Sequence, residues 1–166
     1  MEYVETLLTQ YRNKGILIDA NLLLLFFVGM FDRRRVSSFK GTKKFTVEDF
    51  DLLKQLFGYF SKVMTTPNIL TEVGNLSNQL REDEKDNYYK SFATRIASFD
   101  EQYTASAEIC AREYFSKFGL TDSGVIELVR GKYLVLTDDF KLSNYLQKAN
   151  IDVINFNHIR TINWTN

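Results

Sequence analysis

Four acidic residues in separate parts of the chain are the residues whose placement suggests chemistry: Asp19, Glu72, Asp122 and Asp139. Asp19 closes the apolar run Ile16–Ile18 and precedes a second apolar run, so its carboxylate is predicted to be partly desolvated and to need a partner. Glu72 is predicted to lie inside a helix beside an apolar stripe, where capping does not explain an acid. These two acids are therefore the first candidates for a functional site.

A simpler role is open to the later acids. Asp122 and Asp138 stand at predicted junctions into helices, where an aspartate side chain accepts hydrogen bonds from the free backbone N–H groups. For each of them taken alone, the helix cap is the favoured interpretation. Only convergence with the other acids would give them a chemical role.

Carboxylates that converge repel one another unless a cation neutralises them. A set of oxygen donors without cysteine or histidine favours Mg²⁺ or Mn²⁺ over zinc. A divalent ion held in this way lowers the pKa of a bound water and stabilises charge on a phosphate. The four acids therefore predict hydrolysis of phosphodiester bonds with Mg²⁺ or Mn²⁺ as the cofactor.

The elements that must position these acids alternate along the chain. Short apolar strands are predicted at 15–19, 62–65, 133–136 and 151–154, with helices between them. Strands separated by helices predict an α/β protein, a three-layer α/β/α fold with a mainly parallel central sheet of about four to five strands. Ligands bind beyond the carboxyl ends of such strands, where Asp19 and the Thr137-Asp138-Asp139 group are placed.

The bulk properties are those of one ordinary globular domain. The 166 residues contain no linker, so we predict a single domain spanning 1–166. The net charge is zero, but 21 basic residues against the 17 acids outside the proposed site would leave a surface of about +4. A single cysteine, an acidic N-terminus and no apolar run long enough to span a bilayer predict a cytoplasmic protein without a membrane segment.

Four segments, in order, resemble the motifs of PIN-domain ribonucleases. The first is an aspartate on an apolar strand followed by a small residue and asparagine, the second an internal helix with a glutamate, the third a segment with an acid, and the fourth a strand followed by Thr, any residue and Asp. In this chain they are Ile16–Asn21, Ile69–Val73, Leu120–Ile126 and Val135–Phe140. The resemblance covers essentially the whole chain, including the closing strand at 151–154.

The resemblance implies an endoribonuclease in which Asp19, Glu72, Asp122 and Asp139 hold one or two metal ions. It places the fourth acid two residues after the threonine, at Asp139. Asp138 is then a neighbour that acts as a cap or as a substitute ligand.

The resemblance also implies supporting residues and partners. Asn21 and Thr137 would orient the metal ligands by hydrogen bonding. PIN ribonucleases are often toxins neutralised by an antitoxin and often dimerise, so RNA, a protein inhibitor and a second copy of the chain are the implied partners.

A basic segment interrupts the pattern, as an insertion around 30–45. It carries Arg33, Arg34, Arg35, Lys43 and Lys44. These side chains would hold RNA phosphates, or they belong to a solvated loop, and the sequence does not choose between the two. Phe31 and Phe39 flank the segment and would either stack on bases or anchor the loop.

Other functions were weighed against the motifs. Haloacid-dehalogenase-like phosphatases have Asp-x-Asp after the first strand, where this chain has Asp19-Ala20-Asn21, and a Walker A loop is absent. A receiver domain needs its acidic pair near the first strand, whereas the acidic pair of this chain follows the penultimate strand. The alternative that stays open is a non-catalytic PIN-like module that binds nucleic acid or protein. Long segments at 29–62 and between Glu72 and Asp122 depart from compact PIN domains, so substrate specificity does not carry over.

Three single residues have simple expectations. His158, the only histidine, is predicted to be structural or on the surface rather than catalytic. Cys110 is predicted to lie in the core, and Trp164 to dock the C-terminal tail against the domain.

Overall fold

The central element of the fold is a parallel β-sheet. A computed structural model describes residues 2–78 and 80–162 of the chain, so Trp164 lies outside the described residues. The five strands of the sheet are all parallel, in the order β3-β2-β1-β4-β5. They are β1 Ile16–Ile18, β2 Val63–Thr65, β3 Asp100–Glu101, β4 Leu134–Thr137 and β5 Val153–Asn155.

Helices connect the strands and cover both faces of the sheet. They are α1 Glu2–Tyr11, α2 Ala20–Phe31, α3 Val47–Tyr59, α4 Pro67–Ser77, α5 Glu82–Ile96, α6 Ser106–Cys110, α7 Phe115–Val129, α8 Phe140–Lys148 and α9 Phe156–Ile162. The predicted α/β class with a parallel sheet is confirmed, and the strand number lies within the predicted range.

The central strands are apolar because both of their faces are covered. β1 lies between β2 and β4, with Leu17 paired to Met64 on one side and to Val135 on the other. Every residue of β1 and β4 is buried. Continuous apolar runs, rather than alternation with polar residues, are what a parallel sheet with helices on both faces requires.

The order of the strands reverses next to β1. The chain builds β1, β2 and β3 outward in one direction, and then crosses back to place β4 and β5 on the other side of β1. Connections between parallel strands are right-handed, so the connecting helices pass over opposite faces on the two sides of this reversal. A crevice therefore opens between the carboxyl ends of β1 and β4, where open α/β sheets bind their ligands.

Local sequence signals mark the starts of several helices. Thr46 followed by Asp49 predicts a capping box, which the structure has at the start of α3. Thr66-Pro67 predicts an N-cap followed by proline at the first helical position, as found in α4. The sequence predicts helices at 20–30 and 140–149, and the bounds of α2 and α8 agree with these to within a residue.

Three local predictions were wrong. β3 was missed because its two residues are acidic and exposed, without an apolar pattern. The last helix before β4 was expected to begin at Asp122, but the helical backbone is interrupted at Gly119, with φ 70° and ψ −169°, and resumes directly after it. Asp122 therefore lies in the first turn of this second part of α7 rather than at its cap. Cys110 is exposed instead of buried, because it ends a short surface helix.

The 30–45 segment is anchored to the core. It forms a 3₁₀ turn, Arg33–Arg35, followed by further turns. Val36, Phe39 and Phe45 are buried, and the hydroxyl of Thr42 donates to the carbonyl of Val36 at 2.7 Å. Phe39 thus serves the loop as an anchor, one of its two expected roles.

Within residues 2–78 and 80–162, no helix combines the length and the apolarity needed to cross a bilayer.

Candidate active site

Asp19 lies at the carboxyl end of β1, in the crevice. Its Oδ1 accepts the backbone N–H of Leu22 at 2.9 Å, so Asp19 is the N-cap of α2, a role that the sequence reasoning had not assigned to it. Its Oδ2 accepts the N–H of Asp138 at 3.0 Å and the hydroxyl of Thr137. These bonds tie the end of β1 to the end of β4.

The carboxyl of Asp19 binds its proton unusually tightly. Burial raises its pKa to about 7, and the negative charge of Asp138 adds to this increase. The hydrogen bonds from Thr137, Leu22 and the backbone of Asp138 oppose the shift without cancelling it. The protein thus keeps at this point an acid whose ionised form is poorly stabilised at neutral pH.

Asp138 is held on the side of β4 that faces the basic segment. Asn21 donates its Nδ2 to Oδ1 of Asp138 at 3.1 Å, and the Lys44 ammonium pairs with Oδ2. The carbonyl of Asp138 accepts Nδ2 of Asn157 at 2.8 Å. Asp138 is therefore a salt-bridged structural residue next to the crevice, and it is not a helix cap.

Asp139 takes the cap position instead. Its Oδ1 accepts the N–H groups of Lys141 at 2.6 Å and Leu142 at 3.1 Å, which makes it the N-cap of α8. Its own N–H donates to the Thr137 hydroxyl at 3.0 Å. Thr137 thus connects Asp19 to Asp139, as a residue that positions two carboxylates.

Glu72 on α4 and Asp122 on α7 complete the set of acids. Within residues 2–78 and 80–162, neither carboxylate accepts a hydrogen bond or forms a salt bridge. Burial raises the pKa of Asp122 to about 6, with further increases from the charges of Asp139 and Glu72 and an opposing effect of Lys141. The three acids are therefore close enough to interact electrostatically.

The four predicted acids line one cleft. Its volume is about 100 Å³. Its walls are formed by the carboxyl ends of β1 and β4 and by α2, α4, α7 and α8. The lining residues are Asp19, Ala20, Asn21, Ile69, Glu72, Thr121, Asp122, Val125, Thr137, Asp139 and Leu142. Asp138 is absent from this lining. The preference for Asp139 over Asp138 as the fourth acid agrees with that arrangement.

The carboxylates line the cleft but do not converge on one point. In the described part of the chain, no three side chains of the types His, Cys, Asp or Glu are near enough to hold one metal ion together.

The donor set nevertheless fits a hard cation. All the groups are oxygens, as Mg²⁺ and Mn²⁺ prefer. Mg²⁺ usually keeps several water ligands and needs only one or two direct carboxylates. The cleft volume of about 100 Å³ holds roughly three waters at about 30 Å³ each, which is space for a partly hydrated ion.

The basic segment is largely engaged with acids of the protein itself. Arg33 pairs with Asp51, Arg34 and Arg35 with Asp32, and Arg35 also with Glu84. Lys44 pairs with Asp138. Of the five residues predicted to bind RNA, only Lys43 forms no ion pair within the described residues.

Two lysines that the sequence reasoning had not selected lie on α7 and α8, and the charge of one of them, Lys141, lowers the pKa of the cleft residue Asp122. The ammonium groups of Lys117 and Lys141 are each 5.1 Å from the centroid of the Phe118 ring. Lys141 donates to the carbonyl of Lys117 at 2.6 Å, and neither lysine forms an ion pair in the part of the chain that is described. The position of Lys141, two residues after Asp139, was a usable signal, whereas nothing in the sequence indicated Lys117.

Comparisons of the chain with family models, with curated proteins and with solved structures found no match. The fold and the site by themselves define an α/β protein with an acidic cleft at the point where the strand order of its sheet reverses. Membership of the PIN-domain family stays a prediction that rests on the four motifs.

Proposed function

We propose that the chain is a Mg²⁺- or Mn²⁺-dependent endoribonuclease whose active site is the acidic cleft. One observation carries the proposal: Asp19, Glu72, Asp122 and Asp139 come from four different elements and line one cleft at the carboxyl ends of β1 and β4. The resemblance to PIN-domain ribonucleases, which selected the same four residues, supports it.

The electrostatics of the cleft favours the binding of a cation. The cleft contains two carboxylates without hydrogen-bond donors among the described residues, and burial raises the pKa of Asp19 to about 7. A bound divalent ion would supply charge neutralisation, Lewis acidity toward the phosphate and a more acidic water. Asp19, Glu72, Asp122 and Asp139 are the residues that would hold it.

The residues around the cleft would keep these carboxylates in place. Thr137 donates to Asp19 and accepts from the backbone of Asp139, so one hydroxyl fixes the relation between two ligands. Asn21 acts one residue further out, because it bonds to Asp138 rather than to an acid of the cleft. Fixed carboxylates bind a cation with less loss of side-chain entropy than mobile ones.

RNA would approach across the rim of the cleft. Lys141 and Lys117 are the cations best placed to hold phosphates there, because they form no ion pairs among the described residues. On the basic segment Lys43 remains a candidate, because it forms no ion pair among the described residues. Arg33, Arg34, Arg35 and Lys44 would have to leave acidic partners before binding a phosphate. This costs little for Arg34, whose side chain is 90% exposed, and more for Lys44, whose partner Asp138 is buried.

The partners are proposed from the resemblance alone, and the cytoplasmic location from the sequence. A cytoplasmic toxin of a toxin–antitoxin or defence system would have a protein antitoxin or inhibitor as a partner, and a homodimer is the proposed assembly.

The second candidate function is a non-catalytic module that binds nucleic acid or protein. The observation in its favour is the spacing of the acids, since no three of them in the described residues are close enough to hold a metal together. A module of this kind would bind RNA without cutting it.

A cleavage assay separates the two functions. Single-stranded RNA is incubated with the protein and Mg²⁺ or Mn²⁺, and with excess EDTA as the metal-free control. The nuclease proposal predicts metal-dependent cleavage that falls at least a hundredfold, about 2.7 kcal/mol in barrier height, in Asp19→Asn and Glu72→Gln. Glu108→Gln, on the exposed helix α6, is the matched control and should cleave like the wild type. RNA that stays intact with both metals would favour the binding module.

A further inference from the structure

An exposed phenylalanine follows directly on one of the acids of the cleft. Phe140 is the first residue of α8, directly after the cleft residue Asp139, and is 53% exposed. The other large hydrophobic residues that are exposed in the described part of the chain are tyrosines, which carry a polar hydroxyl. Phe140 has no such group, so its exposure leaves apolar surface in water at a free-energy cost.

A second ring extends this surface. His158 on α9 is exposed, and its ring centroid lies 5.8 Å from that of Phe140, with the ring planes inclined by 54°. The two residues follow the neighbouring strands β4 and β5, at the same edge of the sheet as the cleft. They form an aromatic pair, Phe140 and His158, that is open to solvent beside the acids.

A lysine that adjoins Phe140 in sequence favours an anionic ligand. The ammonium group of Lys141 lies 5.1 Å from the centroid of the Phe118 ring, donates to the carbonyl of Lys117, and forms no ion pair within residues 2–78 and 80–162. Aromatic rings interleaved with cations are the feature that binds single-stranded nucleic acid, because bases stack on the rings and phosphates meet the cations. A stable protein interface buries about 800 Å² on each partner, far more than one phenylalanine and one histidine offer.

We propose that Phe140 and His158 form a stacking site for one nucleobase of a single-stranded substrate, next to the cleft. This inference rests on the proposed nuclease function and adds a substrate class to it. Asp139 and Phe140 are neighbours in the chain, with Cα atoms about 3.8 Å apart. A base stacked on Phe140 would therefore lie beside a residue of the cleft, and we expect a phosphate of the same strand to reach the acids. Bases in a duplex are already stacked on one another, so a duplex cannot use this site.

The test is a binding measurement on protein that cannot cut the RNA. The full chain carrying Asp19→Asn is titrated into a fluorescein-labelled single-stranded RNA of about 12 nucleotides with Mg²⁺, and separately into the same RNA annealed to its complement. Fluorescence anisotropy gives Kd, and a gel confirms that the RNA stays intact. Phe140→Ala, Phe140→Leu and Phe140→Trp are compared in this background.

We expect RNA binding to depend on an aromatic ring at position 140 rather than on an apolar side chain there. Phe140→Ala and Phe140→Leu weaken single-strand binding by about five- to a hundredfold, whereas Phe140→Trp binds at least as well as Phe140. His158→Ala causes a smaller loss. Tyr3→Ala, a 61% exposed aromatic near the start of α1, is the matched control and should bind within about twofold. Duplex binding should not change in any of these variants.

Several outcomes overturn the stacking site. They are the absence of single-strand binding, an unchanged Kd for Phe140→Ala, and a loss in Phe140→Ala that Phe140→Trp does not restore. The fate of the nuclease proposal is read separately in the cleavage assay. Binding that depends on Phe140 without cleavage by the wild type refutes the nuclease alone, and Asp19-dependent cleavage with normal binding by Phe140→Ala refutes the stacking site alone.

Discussion

Replacing Asp19 by asparagine should change the pH dependence of stability in a way that reports on the cleft. Asparagine is as good an N-cap as aspartate, so the cap of α2 is retained. The substitution removes a buried carboxylate whose pKa is raised to about 7, mainly by burial. It also leaves the N–H of Asp138 without its carboxylate acceptor.

The sign follows from the raised pKa. Below about pH 4 the Asp19 carboxyl is protonated in both the folded and the unfolded chain, so its stabilising contribution is fully present. Between pH 4 and 7 only the folded chain holds the proton, and stability is lost as the pH rises. Above pH 7 the loss is complete, at about 4 kcal/mol for a rise in pKa from 3.8 to about 7.

The magnitude can be set for two convenient pH values. Between pH 5 and pH 8 the metal-free wild type should lose about 3 kcal/mol through Asp19, whereas Asp19→Asn should lose none through this position. By pH 5 the wild type has already lost about 2 kcal/mol through Asp19, whereas the buried N–H without its acceptor costs the variant about 1 kcal/mol, so the two proteins should differ by no more than about 1 kcal/mol. At pH 8 the variant should be about 3 kcal/mol more stable than the wild type.

Thermal unfolding in EDTA at pH 5 and pH 8 measures this change in the difference in stability between variant and wild type. The difference in Tm between variant and wild type should change by about 5–10 °C from pH 5 to pH 8. Asp86→Asn, whose side chain is 75% exposed, is the control and should show a difference that does not depend on pH. A constant difference for Asp19→Asn would refute the conclusion that Asp19 holds its proton up to neutral pH.

Three further predictions concern the surroundings of the cleft and the biological role. Lys44→Met should lower the free energy of unfolding by about 1–2 kcal/mol in urea, because the side chain of Asp138 is only 5% exposed and loses its cation, and Lys43→Met should leave it unchanged. Gly29→Ala should destabilise the fold by about 1–3 kcal/mol in the same assay, since a Cβ there would lie 2.2 Å from the Phe50 ring, and a stable variant would contradict the close packing of α2 on α3. Expression of the wild type alone should arrest growth and the cleavage-deficient variant should not, whereas harmless expression of active protein would argue against a toxin.

Much of the fold was predictable because its strands carry strong local signals. The strand β1 and the helix α4 are defined by a continuous apolar run and by a Thr-Pro start, respectively. These features depend on neighbouring residues only. The parallel sheet then follows from the alternation of strands and helices. The edge strand β3 has no such signal, because its two exposed residues are defined by pairing with β2 rather than by their own pattern.

The candidate site shows the same division between local and non-local information. Asp19 and Asp139 could be placed at one edge of the sheet, because each follows a predicted strand. The pairing of Lys44 with Asp138 joins residues 94 positions apart and had no signal in the sequence. For the same reason Arg33 and Arg35 appeared available to RNA, although their partners Asp51 and Glu84 lie elsewhere in the chain. The partner of Arg34 is Asp32, two residues away, so this pair did have a local signal.

The central claim is that Asp19, Glu72, Asp122 and Asp139 form one divalent-metal site. Crystals of the wild type soaked in Mn²⁺, with anomalous scattering used to locate the metal, test it most directly. We expect an anomalous peak in the cleft, with carboxylate oxygens of at least two of these acids at about 2.1–2.2 Å and Asp138 still paired with Lys44. A cleft without a peak at saturating Mn²⁺, or a peak bound only by residues outside the four, would contradict the claim.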